Sequence, residues 1–419
     1  MDVRDRALLD LGEFVDLGSR LLPRLQPQEE RFLQFKRRLN GLLDHSHLAS
    51  SRQFLLDYFL QFLPVLLRAM AEHEGLPEVP CEPERALLDE VCAGRQTHLA
   101  HSPILFPLNR MALGRVTHAA PALDLGIGNG QNSSFTFADR QLDFGGDVIL
   151  SNLLEARRRG RHSALGALDM AALPFPDASF LRVYALNCIY HVQEGRARGL
   201  AEMARVLAPG GVLALTDVSP FLREMKPLAS FFHELGFEQL EAEFERYFLS
   251  GYGADGTPGE ESYYRAELSS LGFEEIRVEY LLSPRLARIA YLLYDWQAMF
   301  NLAAQAELGG ERGSRVFEDV YRPMLHAVVA PLLAQDRELC ALAGQGGYMV
   351  VTARRAGATV TPGPIRLACP ACLRPLDTSD SCNGCLRTYP TVEGIPLLTT
   401  FHADALRDRQ DSGVPRPEG

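Results

Sequence analysis

The chain of 419 residues is 47% hydrophobic and carries 42 basic against 53 acidic side chains, a net charge of -11. This length allows roughly two to four domains, and the composition is that of a globular protein with a sizeable core. The acidic excess disfavours nucleic acid and anionic membranes as partners, because both are bound through basic surfaces. The charged first residues give no sign of a secretory leader, and the most apolar stretch, 54–67, is too short to span a bilayer. We therefore expect a cytoplasmic protein.

Residues 1–115 are predicted to form an accessory helical domain. Apolar side chains recur there at helical intervals of three and four, as in Phe32, Phe35, Leu39 and Leu42. The region shows neither a glycine-rich loop nor the alternation of a strand.

From residue 116 onward, short apolar runs alternate with helical patterns, which is typical of a parallel α/β sheet. A first strand ends at Leu125, and the next candidates are 143–148, 163–168, 182–186 and 212–215. A Pro-Gly-Gly turn at 209–211 is predicted to separate a helix from the last of these strands. Two later strands flank a helical insertion over 284–342, so we expect an α/β domain over 116–356.

The first strand leads into a glycine-rich loop, Asp124-Leu-Gly126-Ile-Gly128-Asn-Gly130. Glycine permits positive φ and a close approach of the backbone to a ligand. The helix that follows offers unpaired N–H groups to an anionic part of that ligand. Dinucleotide-binding loops have a similar pattern, so the loop alone predicts only a nucleotide-like ligand.

Two further acidic residues follow later strands of the same sheet. Asp147 ends the second strand, where a carboxylate can accept hydrogen bonds from both hydroxyls of a ribose. Asp169 follows the third strand together with Met170, and a carboxylate there can accept from an adenine amino group. The order of loop, ribose acid and adenine acid therefore favours an adenosine-containing cofactor.

In this order the segments resemble the class I S-adenosylmethionine-dependent methyltransferases, in particular the type 11 branch, in which Leu-Pro-Phe, here 173–175, precedes the fourth strand. The resemblance implies a Rossmann-like α/β fold and S-adenosyl-L-methionine as cofactor. It assigns the methionine part to the glycine loop, the ribose to Asp147 and the adenine to Asp169 and Met170. The implied cofactor-binding residues are Asp124, Gly126, Gly128, Gly130, Asp147, Asp169, Met170 and Asn187.

The candidate catalytic residues follow the fourth strand. A sulfonium methyl group is already activated, so a general base is needed only for a weak nucleophile such as a hydroxyl. His191 is the candidate base because imidazole titrates near neutral pH, and Tyr190 lies beside it. Asp217 after the fifth strand is a further candidate base.

Four cysteines near the C-terminus form two Cys-x-x-Cys pairs, Cys369 with Cys372 and Cys382 with Cys385. This spacing predicts a structural zinc held by four thiolates, with an iron–sulfur cluster as the alternative. A metal would stabilise a module, 365–400, that is too small for a core of its own. The module resembles the zinc ribbon of small methyltransferase activator proteins, and a disordered tail is predicted over 401–419.

The predicted function is methyl transfer to a small-molecule or peptide acceptor, as in specialised metabolism. One alternative is an RNA base methyltransferase that uses the zinc ribbon to bind its substrate, and RNA binding that weakens steeply with salt would favour it. The other is a non-catalytic cofactor-binding scaffold, which would bind the cofactor without turnover.

Overall fold

The computed structural model describes residues 79–93, 102–192, 195–225, 259–287, 290, 322, 325–376 and 381–400. Most of the predicted N-terminal helical domain, most of the predicted insertion and the tail over 401–419 lie outside these residues. The described residues divide between two compact units. The first draws on Met1–Leu108, Phe221–Ala254 and Tyr280–Gly347, and the second draws on Asn109–Pro220, Asp255–Glu279 and Tyr348–Gly419.

A nine-stranded sheet organises the second unit, with the strand order β6-β7-β5-β4-β1-β2-β3-β9-β8. The strands are β1 (Ala122–Leu125), β2 (Leu142–Asp147), β3 (His162–Leu168), β4 (Phe180–Leu186), β5 (Leu207–Val218), β6 (Phe273–Leu281), β7 (Tyr348–Arg355), β8 (Thr391–Val392) and β9 (Ile395–Leu398). The first five pair in parallel, whereas β7 runs antiparallel to β5. The predicted Rossmann-like α/β fold is confirmed.

The chain reverses its direction of winding at β1, which lies between β2 and β4. In open parallel sheets, ligands bind in the crevice at the carboxyl ends of the strands where the order reverses. The strand order therefore predicts a ligand site at the segments that follow β1, β2 and β4.

Helices connect and cover the strands. They are α1 (Glu82–Ala93), α2 (Ser102–Leu113), α3 (Gln131–Thr136), α4 (Leu150–Arg159), α5 (Arg196–Val206), α6 (Pro220–Met225), α7 (Glu261–Ser270) and α8 (Ala330–Ala343). In α4 the buried side chains are Leu153 and Ala156, three residues apart on one face, and three arginines occupy the last turn. Gly160 ends this helix at φ 65°, a left-handed conformation that costs glycine no Cβ clash. No helix among the described residues is long and apolar enough to cross a membrane.

The sequence predicted that the Pro-Gly-Gly segment at 209–211 separates a helix from a strand. This prediction is wrong. Helix α5 ends at Val206, and Leu207 is already extended, with φ -76° and ψ 129°. The three residues lie inside β5, where the pairing with β4 shifts register between Phe180 and Arg182. Gly210 adopts φ 74°, so the segment is accommodated as an irregularity of the strand.

In the first unit, acidic side chains hold helical segments together. Asp89 on α1 accepts hydrogen bonds from Arg322 Nε at 2.6 Å and pairs with His326 Nε2 at 2.7 Å, and these partners lower the pKa of its carboxyl. Asp336 on α8 accepts the backbone N–H groups of Leu282 and Ser283 at 2.8 and 2.7 Å. Burial raises the pKa of Asp336 to about 6 despite these bonds.

Candidate cofactor site and cysteine centre

Three glycines shape the loop after β1, with φ values of 63° at Gly126, 54° at Gly128 and 76° at Gly130. A Cβ atom at Gly126 would lie 2.6 Å from Cys188 Sγ, and one at Gly130 would lie 2.9 Å from Ala156 Cβ. A Cβ atom at Gly128 would meet no described residue within 4 Å. Two of the glycines therefore permit tight packing, whereas the third borders open space that a ligand can enter.

Asp147, at the end of β2, ties the loop to the sheet. Its Oδ2 accepts the N–H of Gly128 at 2.8 Å, and its Oδ1 accepts the N–H of Ile149 at 2.9 Å. Each carboxylate oxygen retains a further lone pair for a ribose hydroxyl. Val148 and Ile149, which follow directly, are 46% and 51% exposed. These two side chains, which no sequence motif marks, offer an apolar surface beside the acid.

Asp169 and Met170 follow β3 in a tight turn. Asp169 Oδ1 accepts the N–H of Ala171 at 2.8 Å, and its carbonyl accepts the N–H of Ala172 at 3.0 Å. Met170 lies between the loop and α5, since its Cε would be 3.6 Å from a Cβ atom at Gly126. The structure therefore brings Met170 close to the glycine loop.

Asn187 and Cys188 follow β4. Asn187 is left-handed at φ 53°, and its N–H and Oδ1 both bond the hydroxyl of Thr216, at 2.9 and 2.8 Å. Its amide nitrogen Nδ2 is buried and has no hydrogen-bond partner among the described residues, so a donor is available at this strand end. Cys188 Sγ donates to the carbonyl of Leu125 at 3.3 Å.

The two candidate catalytic residues lie in the single 3₁₀ turn Ile189–His191. The rings of Tyr190 and His191 are 4.1 Å apart, and His191 is exposed whereas Tyr190 is half-buried. An exposed imidazole can exchange protons with solvent, as a general base requires.

Asp124 lies in the middle of β1 and is 1% exposed. Its Oδ2 is 3.0 Å from Nε2 of His162, the first residue of β3. Asp124 is recognisable from the loop motif, but His162 is not, because nothing local marks a histidine as the partner of an acid 38 positions earlier. Only the pairing of β1, β2 and β3 brings the two side chains together.

A second buried acid, Asp217, lies near the carboxyl end of β5. Tyr264 on α7 donates its hydroxyl to Asp217 Oδ2 at 2.5 Å, and Arg196 Nη2 is 3.9 Å from the same oxygen. Burial raises the pKa of Asp217 to about 6, although Tyr264 and Arg196 oppose the shift. The sequence named Asp217 as a candidate base but did not connect it with these two partners.

The raised pKa of Asp217 predicts a pH-dependent contribution to stability. In the folded state the Asp217 carboxyl keeps its proton up to about pH 6, whereas in the unfolded state an aspartate loses its proton near pH 3.8. Ionisation of Asp217 therefore lowers the free energy of unfolding as pH rises. We compare the free energy of unfolding of Asp217→Asn with that of the wild type. The difference is expected to shift in favour of the variant by about 2 to 3 kcal/mol between pH 3.5 and pH 7. Urea unfolding of both proteins across this range measures the change. A pH-independent difference would contradict the assignment.

The four cysteines of the C-terminal module converge, with all Sγ atoms within 4.8 Å of one another. Cys369 Sγ is 3.4 Å from Cys385 Sγ, and Cys372 Sγ is 3.4 Å from Cys382 Sγ. The two Cys-x-x-Cys turns repeat the same backbone hydrogen bonds, Leu373 to Cys369 and Leu386 to Cys382, each at 2.8 Å. This arrangement fits a tetrahedral metal site in which protein fills every position.

The cysteine module is attached to the edge of the sheet. Strand β9 pairs in parallel with β3, placing Ala167 opposite Leu397 and Leu168 opposite Leu398. Ile395 and Leu397 share one apolar core cluster with Leu153, Ala156, Ala167 and Ile127 of the glycine loop. An ion pair between Arg157 Nη2 and Glu393 Oε2 at 2.8 Å adds a contact at the rim. The module thus covers an edge strand that would otherwise be exposed.

Comparison with known proteins gives a match over the central sheet. Residues 123–215 match a family described as the methyltransferase domain. The chain is 35% identical over 103 residues to methyltransferase GfsG of Streptomyces halstedii, covering 23% of this chain and 37% of that protein. It is 31% identical over 159 residues to 27-O-demethylrifamycin SV methyltransferase of Amycolatopsis mediterranei (strain S699), covering 36% and 53%. Among solved structures, an S-adenosylmethionine-dependent methyltransferase of Thermotoga maritima aligns with a TM-score of 0.38 and 16% identity over 65% of this chain and 97% of that one.

The match indicates a methyltransferase domain over residues 123–215 of this sheet, in agreement with the class of domain that the sequence predicted. The chain spans between 37% and 53% of the length of the two curated relatives.

Proposed function

We propose that the protein transfers a methyl group from S-adenosylmethionine to a small-molecule acceptor. The observation that carries this proposal is the charge around the glycine loop. Asp124, Asp147 and Asp217 are all less than a tenth exposed, and their negative charges add to the effect of burial in raising the pKa of the Cys188 thiol. Such a site favours a cationic ligand over the pyrophosphate of a dinucleotide.

The cofactor supplies a methyl group activated by the positive charge of the sulfonium. Asp147 would accept hydrogen bonds from the ribose hydroxyls, Val148 and Ile149 would offer an apolar surface to the adenine, and Asp169 would accept from its amino group. The amide of Asn187 would donate to the methionine carboxylate, which would satisfy an Nδ2 atom that has no partner in the described part of the chain. The glycines at 126, 128 and 130 let the backbone of the loop approach the same part of the cofactor.

The names of the relatives support a small acceptor. One of them is described as a 27-O-demethylrifamycin SV methyltransferase, and a second, of Pyrenophora dematioidea, as an O-methyltransferase. During transfer the S–CH₃ bond breaks with its electron pair left on sulfur, and a bond forms between the methyl carbon and the acceptor. A hydroxyl acceptor must also lose its proton, which requires a base.

Calorimetric titration with S-adenosylmethionine and with NAD⁺ tests the cofactor assignment. We expect one molecule of S-adenosylmethionine to bind with a Kd on the order of micromolar, and no binding of NAD⁺. Binding of NAD⁺ without S-adenosylmethionine would refute the proposal. Binding of S-adenosylmethionine without turnover of hydroxylated small molecules would instead favour the scaffold alternative.

His191 is the proposed base, with Tyr190 beside it. Replacing His191 with alanine is expected to lower turnover of a hydroxyl acceptor by about 100-fold or more, because general base catalysis contributes on that order. The Kd for S-adenosylmethionine should stay unchanged, since the proposed cofactor contacts involve other residues. Tyr190→Phe tests the second candidate catalytic residue separately, by the same two measurements. Normal turnover in His191→Ala would remove this residue from the mechanism.

We propose as well that Cys369, Cys372, Cys382 and Cys385 hold one structural zinc. The compact set of four sulfur atoms supports this, and so does the contact of 3.1 Å between Tyr389 Oη and Cys369 Sγ. A hydroxyl that donates to a ligating thiolate is the kind of outer contact that orients metal ligands. The role of the metal is then to hold the module, with its strand β9, on the edge of the methyltransferase sheet, as the resemblance to a zinc ribbon implies.

A further inference from the structure

A buried arginine begins helix α5, beside the carboxyl end of β5. Arg196 is the first residue of this helix and is only 7% exposed. Its Nη2 is 3.9 Å from Oδ2 of Asp217, and its guanidinium lies over the ring of Tyr263, with Cζ 5.9 Å from the ring centroid. The same oxygen of Asp217 accepts the hydroxyl of Tyr264 at 2.5 Å. Arg196 therefore links the start of α5 to strand β5 and helix α7.

This position is unfavourable for an arginine in two respects. A positive charge near a helix N-terminus opposes the helix dipole, and the first turn of α5, residues 196–199, contains no acidic residue that would compensate. Burial also removes the guanidinium from water, a cost that buried ion pairs often fail to recover. Residues that a fold retains against its local preferences are commonly found at functional sites. Stability alone therefore does not account for Arg196 at this position.

The start of α5 packs against both ends of the 3₁₀ turn Ile189–His191, which carries the two candidate catalytic residues. A Cβ atom at Gly195, the residue before the helix, would lie 2.9 Å from Cγ1 of Val192, which directly follows the turn. A Cβ atom at Gly199 would lie 3.9 Å from Cδ1 of Ile189. The position of this turn therefore depends on the position of the first turn of α5.

The same two glycines also face the turn after β3 that is proposed to hold the adenine. A Cβ atom at Gly199 would lie 3.6 Å from Cγ of Met170, and one at Gly195 would lie 3.8 Å from Cβ of Ala171. Asp169 belongs to this turn, since its Oδ1 accepts the N–H of Ala171 at 2.8 Å. A shift of this end of α5 would therefore displace the proposed base and the proposed adenine acid together.

We propose that Arg196 is a positioning residue. Anchored by Asp217 and by the ring of Tyr263, it fixes the first turn of α5, and this turn holds His191 and Asp169 in one geometry. Closely packed elements transmit a displacement because there is little free space to absorb it. A misplacement of about 1 Å in an active site can lower the rate about 100-fold. The inference rests on the proposed function, which gave His191 and Asp169 their roles.

Arg196→Met tests the inference with two measurements that need no acceptor. NMR of protein with isotope-labelled histidine reports the surroundings of His191, whose signal is identified by its loss in His191→Ala. Calorimetry gives the Kd for S-adenosylmethionine. In Arg196→Met the His191 signal is expected to shift, and the Kd is expected to rise about tenfold, because the loosened turns must be ordered at the expense of binding free energy.

The matched control is Arg198→Met, because Arg198 is exposed on the same turn of α5 and carries the same charge. Both measurements should stay at their wild-type values in this control. Arg196→Lys should restore part of both, since an ammonium group can still pair with Asp217 and the aromatic ring. The signal of His326, which belongs to the first unit, should stay unchanged in every variant.

Combining Arg196→Met with Asp217→Asn guards against unfolding, because no buried carboxylate is then left without its cation. This double variant has the net charge of the wild type, so a His191 signal that is still shifted reflects position rather than charge. An unshifted His191 signal in the folded double variant would mean that Arg196 is only structural, and so would an unchanged Kd in folded Arg196→Met. Either result would overturn the inference. A wild-type protein that binds no S-adenosylmethionine would instead refute the proposed function, and the His191 signal alone would then decide whether Arg196 positions the turn.

Discussion

Replacing Asp147 with alanine is expected to weaken S-adenosylmethionine binding by about 100-fold or more. The carboxylate would lose its hydrogen bonds to the ribose, and bonds to charged groups contribute roughly 1.5 to 3 kcal/mol each. The substitution would also release the N–H groups of Gly128 and Ile149, which donate to the Asp147 carboxylate at 2.8 and 2.9 Å. The loop would then have to be ordered at the expense of binding energy.

Calorimetry on the wild type, Asp147→Ala and Asp147→Asn measures this effect. The asparagine variant can accept only one of the bonds, so its Kd should lie between the other two. Asp143→Ala is the matched control, because Asp143 lies on the same strand and also accepts a backbone N–H, from Ala122 at 2.8 Å. Its Kd should stay near the wild-type value. An unchanged Kd in Asp147→Ala would overturn the ribose assignment.

Loss of one metal ligand, in Cys382→Ser, is expected to release zinc and lower the Tm by about 10 °C. A module of this size cannot fold around its own core, so its folding depends on the metal. Release of strand β9 would expose Ile395 and Leu397 to solvent. Burial of each side chain contributes roughly 1.5 to 3 kcal/mol to the free energy of unfolding. Cofactor affinity should fall too, because Ile127 of the loop packs in the same cluster.

Elemental analysis and thermal unfolding test this expectation. The wild type should contain about one zinc per chain, and treatment with a strong chelator should reproduce the lower Tm of the variant. Cys92→Ser on α1 serves as the control and should keep the metal. Iron in place of zinc would establish the iron–sulfur alternative, and a stable, metal-free wild type would refute a metal site altogether.

Much of the architecture was predictable because its signals are local. Positive φ at Gly126 and Gly130 follows from glycine in a tight strand-to-helix turn, and two Cys-x-x-Cys turns bring sulfur atoms together without help from the rest of the fold. The position of Asp147 at a strand end was predictable for the same reason. The boundary between α5 and β5 at residue 207 was not predictable. A Pro-Gly-Gly segment indicates an interruption of regular structure, but it does not show whether a turn or an irregular strand results.

The amino-acid sequence by itself indicated the glycine loop and the two Cys-x-x-Cys pairs, because each is a local motif, and it indicated the class of domain through the order of several such motifs. Only the tertiary structure paired Asp124 with His162 and Asp217 with Tyr264, which are 38 and 47 positions apart. The first contact depends on the pairing of β1, β2 and β3 and on the absent side chain of Gly145 in β2, whereas the second joins β5 to helix α7. The attachment of β9 to β3 was equally beyond the sequence, because any exposed strand edge offers the same backbone groups and only side-chain packing selects one.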